Sequence, residues 1–261
     1  MLLTVQIVNY NSRENLARCL DSIQKNVPPG VETQIIIVNN ESEKLSGETL
    51  CSSRAEIVEA GENLGFGRAH NLGTKSARGE YILFLNPDTE VLSGSLEKML
   101  GIFAADEKIG IVGPALVSES GKAAEEHFGF RKTPFSLVKT KLFGPGREVF
   151  QPVQADWLSG AAMMVRKKLF RELGGFDENY FMYFEDVDLC LRAIKRGHQV
   201  IMNPEAKILH ESGQSFSDNR QKKKYYYSSQ DYYLRKHFGP WQAGAAKLLR
   251  LPYYLKNVYF E

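Results

Sequence analysis

Residues 180–198 read YFMYFEDVDLCLRAIKRGH: four aromatic side chains, then Glu185, Asp186 and Asp188 as a helical pattern begins. Asp188 and Arg192 stand four apart on one helix face, close enough to pair. That leaves Glu185 and Asp186 in the first turn. Carboxylates there favour the helix dipole, which is a purely structural reason for them. The chemical reason is different. A carboxylate in a partly desolvated site has a pKa above its ordinary value of about 4, which makes it a better general base. Phe181, Tyr183 and Phe184 supply flat surfaces of the kind on which a sugar ring packs. A helix N-terminus lowers the pKa of such an acid, whereas a neighbouring diphosphate raises it.

A second acid stands in FLNPDTEV, where Pro87 fixes a turn and presents Asp88 just past an apolar strand. Mg²⁺ or Mn²⁺ held by one or two protein carboxylates, with phosphate oxygens and water completing the shell, suits that position. An Asx-turn in a surface loop is the structural alternative. ENLGFGRAHNLG carries Gly65, Gly67 and Gly73 with Asn63 and Asn71, and matches neither a Walker nor a dinucleotide fingerprint. Its glycines suit either close approach of a ligand or a tight strand-to-helix turn. Cys19, Cys51 and Cys190 are an odd number without metal spacing and read as reduced thiols.

These residues must be positioned by the elements around them. Apolar runs at 3–9, 34–40, near 57, at 81–85 and from 109 alternate with helical patterns around 16–23, 66–76 and 96–103. This is βαβ periodicity, and its continuous apolar strands predict a sheet covered on both faces. Ligands in such sheets sit at the carboxyl ends of the strands. The first four strands each run into a polar segment: NYNS, NNES, GENLGFGRAHN and NPDT. The pattern weakens over 118–151, which reads as a variable loop region and not a domain linker. It resumes with a strand at 160–166, a short helix ending at Gly174-Gly175, the carboxylate helix, and two strands, HQVIMNP and AKILHESG. Two helices broken near Gly239-Pro240 close the chain.

At 261 residues and a net charge of +2, the chain has the composition of a globular protein, with no bulk field to attract nucleic acid. The start, MLLTVQIVNYN, lacks a basic region and meets Asn9 and Asn11 too early for a signal peptide, and no apolar run approaches a membrane span. The expectation is a cytoplasmic protein. Residues 221–261 interleave cations with aromatic residues, a mixture that suits peripheral contact with the inner face of the membrane, packing on the core, or a homodimer contact.

Taken in order, IVNYNS, IIIVNNES, NLGFGRAHNLG, GEYILFLNPDTEV, the stretch from WLSGAAMMVR through YFMYFEDVDLCLRAIKRGH, and HESGQSF resemble family 2 glycosyltransferases, in particular the bacterial rhamnosyltransferase-like branch. The resemblance spans residues 3 to about 240. It implies an α/β, GT-A (nucleotide-diphospho-sugar transferase) fold over 1–220, with a mostly parallel central sheet flanked by helices and a C-terminal helical tail over 221–261. Residues 1–115 would form the nucleotide-binding half and 116–220 the acceptor-binding half.

The same resemblance assigns roles. Tyr10, Asn11, Asn39 and Asn40 would hold the nucleotide base and ribose, although many members carry Asp where this chain has Asn39. Asn63, Gly65 and Arg68 would pass beside the nucleotide. Asn86-Pro87-Asp88 corresponds to the family's Asp-x-Asp motif, with Asp88 holding Mg²⁺ or Mn²⁺ and His210 either completing that site or standing as a surface histidine at a strand end. Asp186, supported by Glu185, would be the catalytic base, while Trp157, Ser159, Gly160, Phe184 and residues 174–178 would line the sugar or acceptor pocket. The implied reaction is inverting, metal-dependent transfer from a nucleotide-diphosphate sugar, thymidine-diphosphate rhamnose or a uridine-diphosphate hexose, to a glycan or lipid-linked acceptor in polysaccharide assembly. A non-catalytic nucleotide-sugar binding or scaffold protein is the alternative.

Overall fold

Strands β1 (Leu2–Asn9), β2 (Glu32–Asn39) and β4 (Tyr81–Leu85) alternate their side chains between two apolar layers, as the two-residue repeat of a strand requires. Ile36, Val38, Ile82 and Phe84 enter one layer, and Ile35, Ile37, Leu83 and Leu85 the other. A computed structural model of the chain describes residues 1–45, 55–123, 127–130, 132–133, 149–210 and 219–255. Cys51 and much of the loop stretch at 118–151 lie outside the described residues, whereas Cys19 and Cys190 are buried free thiols.

The remaining strands are β3 (Glu56–Glu59), β5 (Thr89–Val91), β6 (Ile109–Val117), β7 (Phe128–Gly129), β8 (Val153–Gln154), β9 (Trp157–Leu158), β10 (Ala162–Arg166) and β11 (Gln199–His210). Among the described residues, nine of the eleven strands form one sheet in the order β3-β2-β1-β4-β10-β6-β11-β5, with β8 added on β11. Pairing of β1, β2, β3 and β4 is parallel, as is that of β6 with β11. The strand β10 runs against both β4 and β6. It joins the expected halves at 1–115 and 116–220 into a single sheet. β7 and β9 form a small second sheet.

Helices α1 (Arg13–Lys25), α2 (Phe66–Thr74), α3 (Ser95–Ala105), α4 (Lys167–Glu172) and α5 (Glu185–Lys195) flank the sheet. Where the sequence pattern predicts two late strands, a single strand, β11, runs through Pro204, with a register shift between Asn203 and Lys207. Proline lacks an N–H to donate, so the ladder opens there and closes again beyond it.

The C-terminal helices α6 (Asn219–Phe238) and α7 (Pro240–Leu255) meet at Gly239. α6 is no appendage. Its Tyr233 and Leu234 are 1% exposed and belong to the same core as β4 and α5. Buried among them is Asp188 of α5, which accepts from Arg192 Nε at 2.6 Å, Lys236 Nζ at 2.6 Å and His237 Nε2 at 2.7 Å. Burial pushes this carboxyl upward, but the His237 hydrogen bond, Arg192 and Lys236 more than offset it, and Asp188 is held below its ordinary range.

Removing one member of a buried ionic cluster leaves the others uncompensated. Asp188→Ala should therefore cost about 3–5 kcal/mol in urea unfolding. Because the folded-state pKa is depressed, this stabilisation is present above the unfolded carboxyl's pKa and is lost as pH falls through and below it. Stability of the parent chain should accordingly drop more steeply on acidification than that of Asp188→Asn.

Candidate active site

The parallel strands β1, β2 and β4 end together, at Asn9, Asn39 and Leu85. Because β10 runs the other way, its start comes to the same rim, where the Asn86 N–H donates to the Ala161 carbonyl at 2.9 Å. β11 arrives there too, its last residue His210 opposite Thr89 of β5. Three chain segments distant in sequence thus converge on one edge.

That register sets Asp88 beside His210. The Asp88 side chain is 3% exposed, its Oδ1 has no hydrogen-bond partner, and His210 Nε2 stands 3.5 Å from it. A buried carboxylate oxygen without a partner carries a desolvation cost that a cation would remove. Carboxylate and imidazole suit Mn²⁺, and the carboxylate alone suits Mg²⁺, so the residues present fit a divalent ion sharing its shell with phosphate oxygens. Among the described residues no group of three or more acidic, His or Cys side chains forms a protein-only metal site.

The second centre lies across Gly160 and Ala161. The Gly160 N–H donates to Asp186 Oδ2 at 2.9 Å, and the Val187 N–H to Oδ1 at 2.7 Å. A Cβ at Gly160 would lie 2.9 Å from the Phe66 ring, so a larger residue there would push that ring aside. Burial raises the pKa of Asp186, and the Gly160 N–H and the charge of Lys132 draw it only part of the way back. Glu185 is driven further. Burial first and the Asp186 charge second raise it well above the ordinary range, and its Oε2 has no partner. The pair is therefore unequally supported: two backbone donors hold Asp186, whereas Glu185 Oε2 meets none.

The chain reaches α5 through two aromatic residues in left-handed conformation, Tyr183 and Phe184, both at φ 69°. Such a backbone is costly for bulky residues and is held only by strong surroundings. Those surroundings are the tyrosines of α6. Phe181 stacks near Tyr225 at 4.7 Å, Tyr183 near Tyr226 at 5.7 Å, and Phe184 near Tyr226 and Tyr233, each at 5.3 Å. Phe184, expected beside the sugar or acceptor, is 2% exposed and packs under α6. Trp157 is also buried, at 8%, with Lys132 Nζ 4.0 Å from its ring centroid. Ser159 is half-buried and accepts from the Ala161 N–H, and in the 174–178 stretch Asp177 is tied to Tyr232 and Lys236 of α6.

On the β1–β2 side, Asn39 is wholly buried and its amide is engaged in full. It accepts from Asn9 and donates to Glu59 and to the Glu43 carbonyl. A side chain so occupied shapes the rim instead of reaching out from it. Asn40 bonds Asn63 and the Leu64 N–H, which fastens the loop before α2. Gly65 has φ +81°, and a Cβ there would fall 2.3 Å from the Phe181 carbonyl, so its glycine serves the packing of one loop on another. Arg68 holds the Glu178 carbonyl at 2.8 Å. Tyr10 is half-buried and Asn11 exposed at φ 51°, both at the mouth of this side, and Asn86 is half-buried beside the Asp88 turn. Glu59 and Lys132 escape sequence reasoning, because they belong to no quoted motif and gain meaning only from what folds against them.

A family model described as glycosyl transferase family 2 matches residues 4–174. The N-acetylglucosaminyl-diphospho-decaprenol L-rhamnosyltransferase of Mycobacterium tuberculosis is 28% identical over 243 residues, covering 82% of this chain and 77% of the relative. Rhamnosyltransferase WbbL of Escherichia coli is 26% identical over 222 residues, with 78% and 81% covered. Among solved structures, GalNAc-T7 with UDP, GalNAc and Mn²⁺ aligns with a TM-score of 0.64 at 16% identity, over all of this chain but only 57% of that one. The Pyrobaculum calidifontis mannosyltransferase PcManGT, in complex with GDP-Man and Mn²⁺, aligns at 0.63 and 15% identity over 96% of this chain and 75% of its own. At these identities the structural likeness shows the fold, which is GT-A.

The unequal titration of the carboxylate pair is directly measurable. A raised folded-state pKa means that the native chain binds the proton more tightly than the unfolded one, so stability falls as pH rises from the ordinary Glu value towards the raised one. Glu185→Gln, a neutral isostere, should remove that fall and make the variant more stable than the parent at alkaline pH, as read from thermal midpoints across pH.

Proposed function

The chain belongs to glycosyl transferase family 2, and from that membership we propose that it is an inverting sugar transferase. It takes its sugar from a nucleotide-diphosphate donor and delivers it to a hydroxyl of a glycan or lipid-linked acceptor in polysaccharide assembly. The observation that carries this reading is the shared rim: a backbone-held Asp186 on one side of Gly160-Ala161 and the Asp88–His210 pair on the other.

Asp186 accepts the proton of the acceptor hydroxyl at its carboxylate. The acceptor oxygen bonds to the anomeric carbon from the face opposite the diphosphate, and the carbon–oxygen bond to phosphate breaks with its electron pair leaving on the nucleoside diphosphate. Configuration at that carbon inverts. Since the sugar develops oxocarbenium character before the hydroxyl loses its proton, a carboxylate of modestly raised pKa is a sufficient base. Burial and the Asp186 charge raise the pKa of Glu185 beside it, which disfavours a second negative charge there. Asp88 and His210 would hold a divalent cation, Mg²⁺ or Mn²⁺, whose charge, when bound, stabilises the departing diphosphate.

The relatives named as rhamnosyltransferases favour rhamnose as the transferred sugar, and the one named for N-acetylglucosaminyl-diphospho-decaprenol favours a lipid-diphosphate glycan as acceptor; as donor we propose thymidine-diphosphate rhamnose first and a uridine-diphosphate hexose second. The face around Asn40, Asn63 and Asn11 takes the nucleotide, with Asn39 acting through Glu59 and Asn9. No observation favours a non-catalytic scaffold, since both Asp88 and Asp186 are kept and aimed at the rim.

The deciding experiment is release of nucleoside diphosphate from a panel of thymidine, uridine and guanosine donors with Mn²⁺, Mg²⁺ or chelator. One donor should turn over in a metal-dependent way. Asp186→Asn should lose about 10²–10⁴-fold in kcat while donor binding holds, and near-parental turnover in this variant would overturn the assignment. Asp88→Asn should instead weaken metal-supported donor binding. The rising limb of kcat/KM should lie above the ordinary carboxylate range, because burial raises Asp186.

A further inference from the structure

Helix α7 faces two ways. Its inner side carries Ala243 and Ala246, both buried, with Arg250 bound to Gln230 and Asp231 of α6, and Tyr254 against Tyr227 at 5.2 Å. On the outer side Trp241, Leu248 and Leu255 recur every seven residues and are 90%, 71% and 42% exposed, with Leu249 at 68% between them. Seven residues are nearly two full turns, so these side chains form one stripe along the helix. The charged residues of α7, Lys247 and Arg250, both turn back to Asp231. The stripe is therefore apolar along its whole length.

The surroundings of the stripe are basic. Lys236, Lys247 and Arg250 face Asp177, Asp188 and Asp231, whereas Arg220, Lys222, Lys223 and Lys224 gather in the opening turns of α6, a stretch with no acid in its sequence. An apolar stripe bordered by an excess of cations matches an anionic lipid surface, with its headgroup charge outside and its acyl region beneath. A second copy of this chain would bring the same cations against themselves. No helix among the described residues is long and apolar enough to cross a membrane, so the matching arrangement is a helix lying in the interface.

We propose that the outer face of α7, with the basic start of α6, docks the protein on an anionic bilayer. The geometry links that face to the rim. Phe184, next to Glu185, packs on Tyr226 at 5.3 Å, Tyr226 on Tyr227 at 5.6 Å, and Tyr227 on Tyr254 of α7 at 5.2 Å. Docking so arranged brings Glu185 and Asp186 towards the lipid headgroups, where the hydroxyl of a lipid-linked acceptor stands. Only that last consequence rests on the transferase reading. The docking itself is independent of turnover.

The test uses the full chain and vesicles of phosphatidylcholine alone or with about one third phosphatidylglycerol. Of the two tryptophans, Trp157 is buried and Trp241 is 90% exposed, so a blue shift on adding vesicles reports α7. The chain should co-sediment with anionic vesicles at least about tenfold better than with neutral ones, and high salt should weaken the association. Leu248→Ser/Leu249→Ser, at exposed positions that leave the fold intact, should lower the partition about tenfold or more, and Lys222→Gln/Lys223→Gln/Lys224→Gln should lower it as well. Recovery of the parent chain in the supernatant with anionic vesicles would overturn the proposal, as would undiminished binding by the double-serine variant. So would a dimer, seen by sedimentation, that the serine changes abolish while vesicles capture nothing. That result would identify a second copy as the occupant.

Discussion

A fully buried carboxylate cannot remain ionised without partners, and Asp188 finds its partners on two helices at once. Arg192 lies one turn along on α5, while Lys236 and His237 come from α6. The charge therefore makes α6 obligatory. Once α6 is in place, its tyrosines cover the aromatic residues before α5, and the left-handed backbone at Tyr183 and Phe184 is held. That bend aims the first turn of α5 at the rim. Asp188 is thus a positioning residue for Asp186, two residues away, although it faces the opposite side of the helix.

The neighbouring acids Glu185 and Asp186 share a similar depth but not a similar fate. Asp186 meets two backbone N–H groups, and Glu185 leaves an oxygen without a donor. A buried site tolerates one charge there more readily than two, and the hydrogen bonds decide which residue carries it. The donor at Gly160 stands at the start of β10, the strand that reverses direction between β4 and β6. Sheet topology thereby sets the electrostatics around Asp186.

The same economy appears at Asp88. Its turn comes directly after β4, but the histidine beside it arrives with β11, more than a hundred residues later. β11 keeps β6 beside it on both sides of the bulge at Pro204, and its other edge takes β8 near its start and β5 at its end. Had the strand stopped at the proline, His210 would not reach the rim.

Hydrophobic periodicity determined the helices and most strands, because burial on one face or both leaves a repeat of 3.6 or 2 that is written in local sequence. The start of α5 at Glu185, the Asp188–Arg192 pair and the break at Gly239-Pro240 were legible for the same reason: each depends on residues within one or two turns. Family membership was legible from the order of the motifs. Tertiary structure alone decided the antiparallel insertion of β10, the union of two expected strands into β11, and the covering of Phe184 by α6. It also decided that Asn39 spends its amide inside the protein and that Asp186, not Glu185, meets two backbone donors. Each of these turns on contacts between residues far apart in the chain, and the energy of burying a polar group depends on which distant donor meets it, which no local pattern encodes.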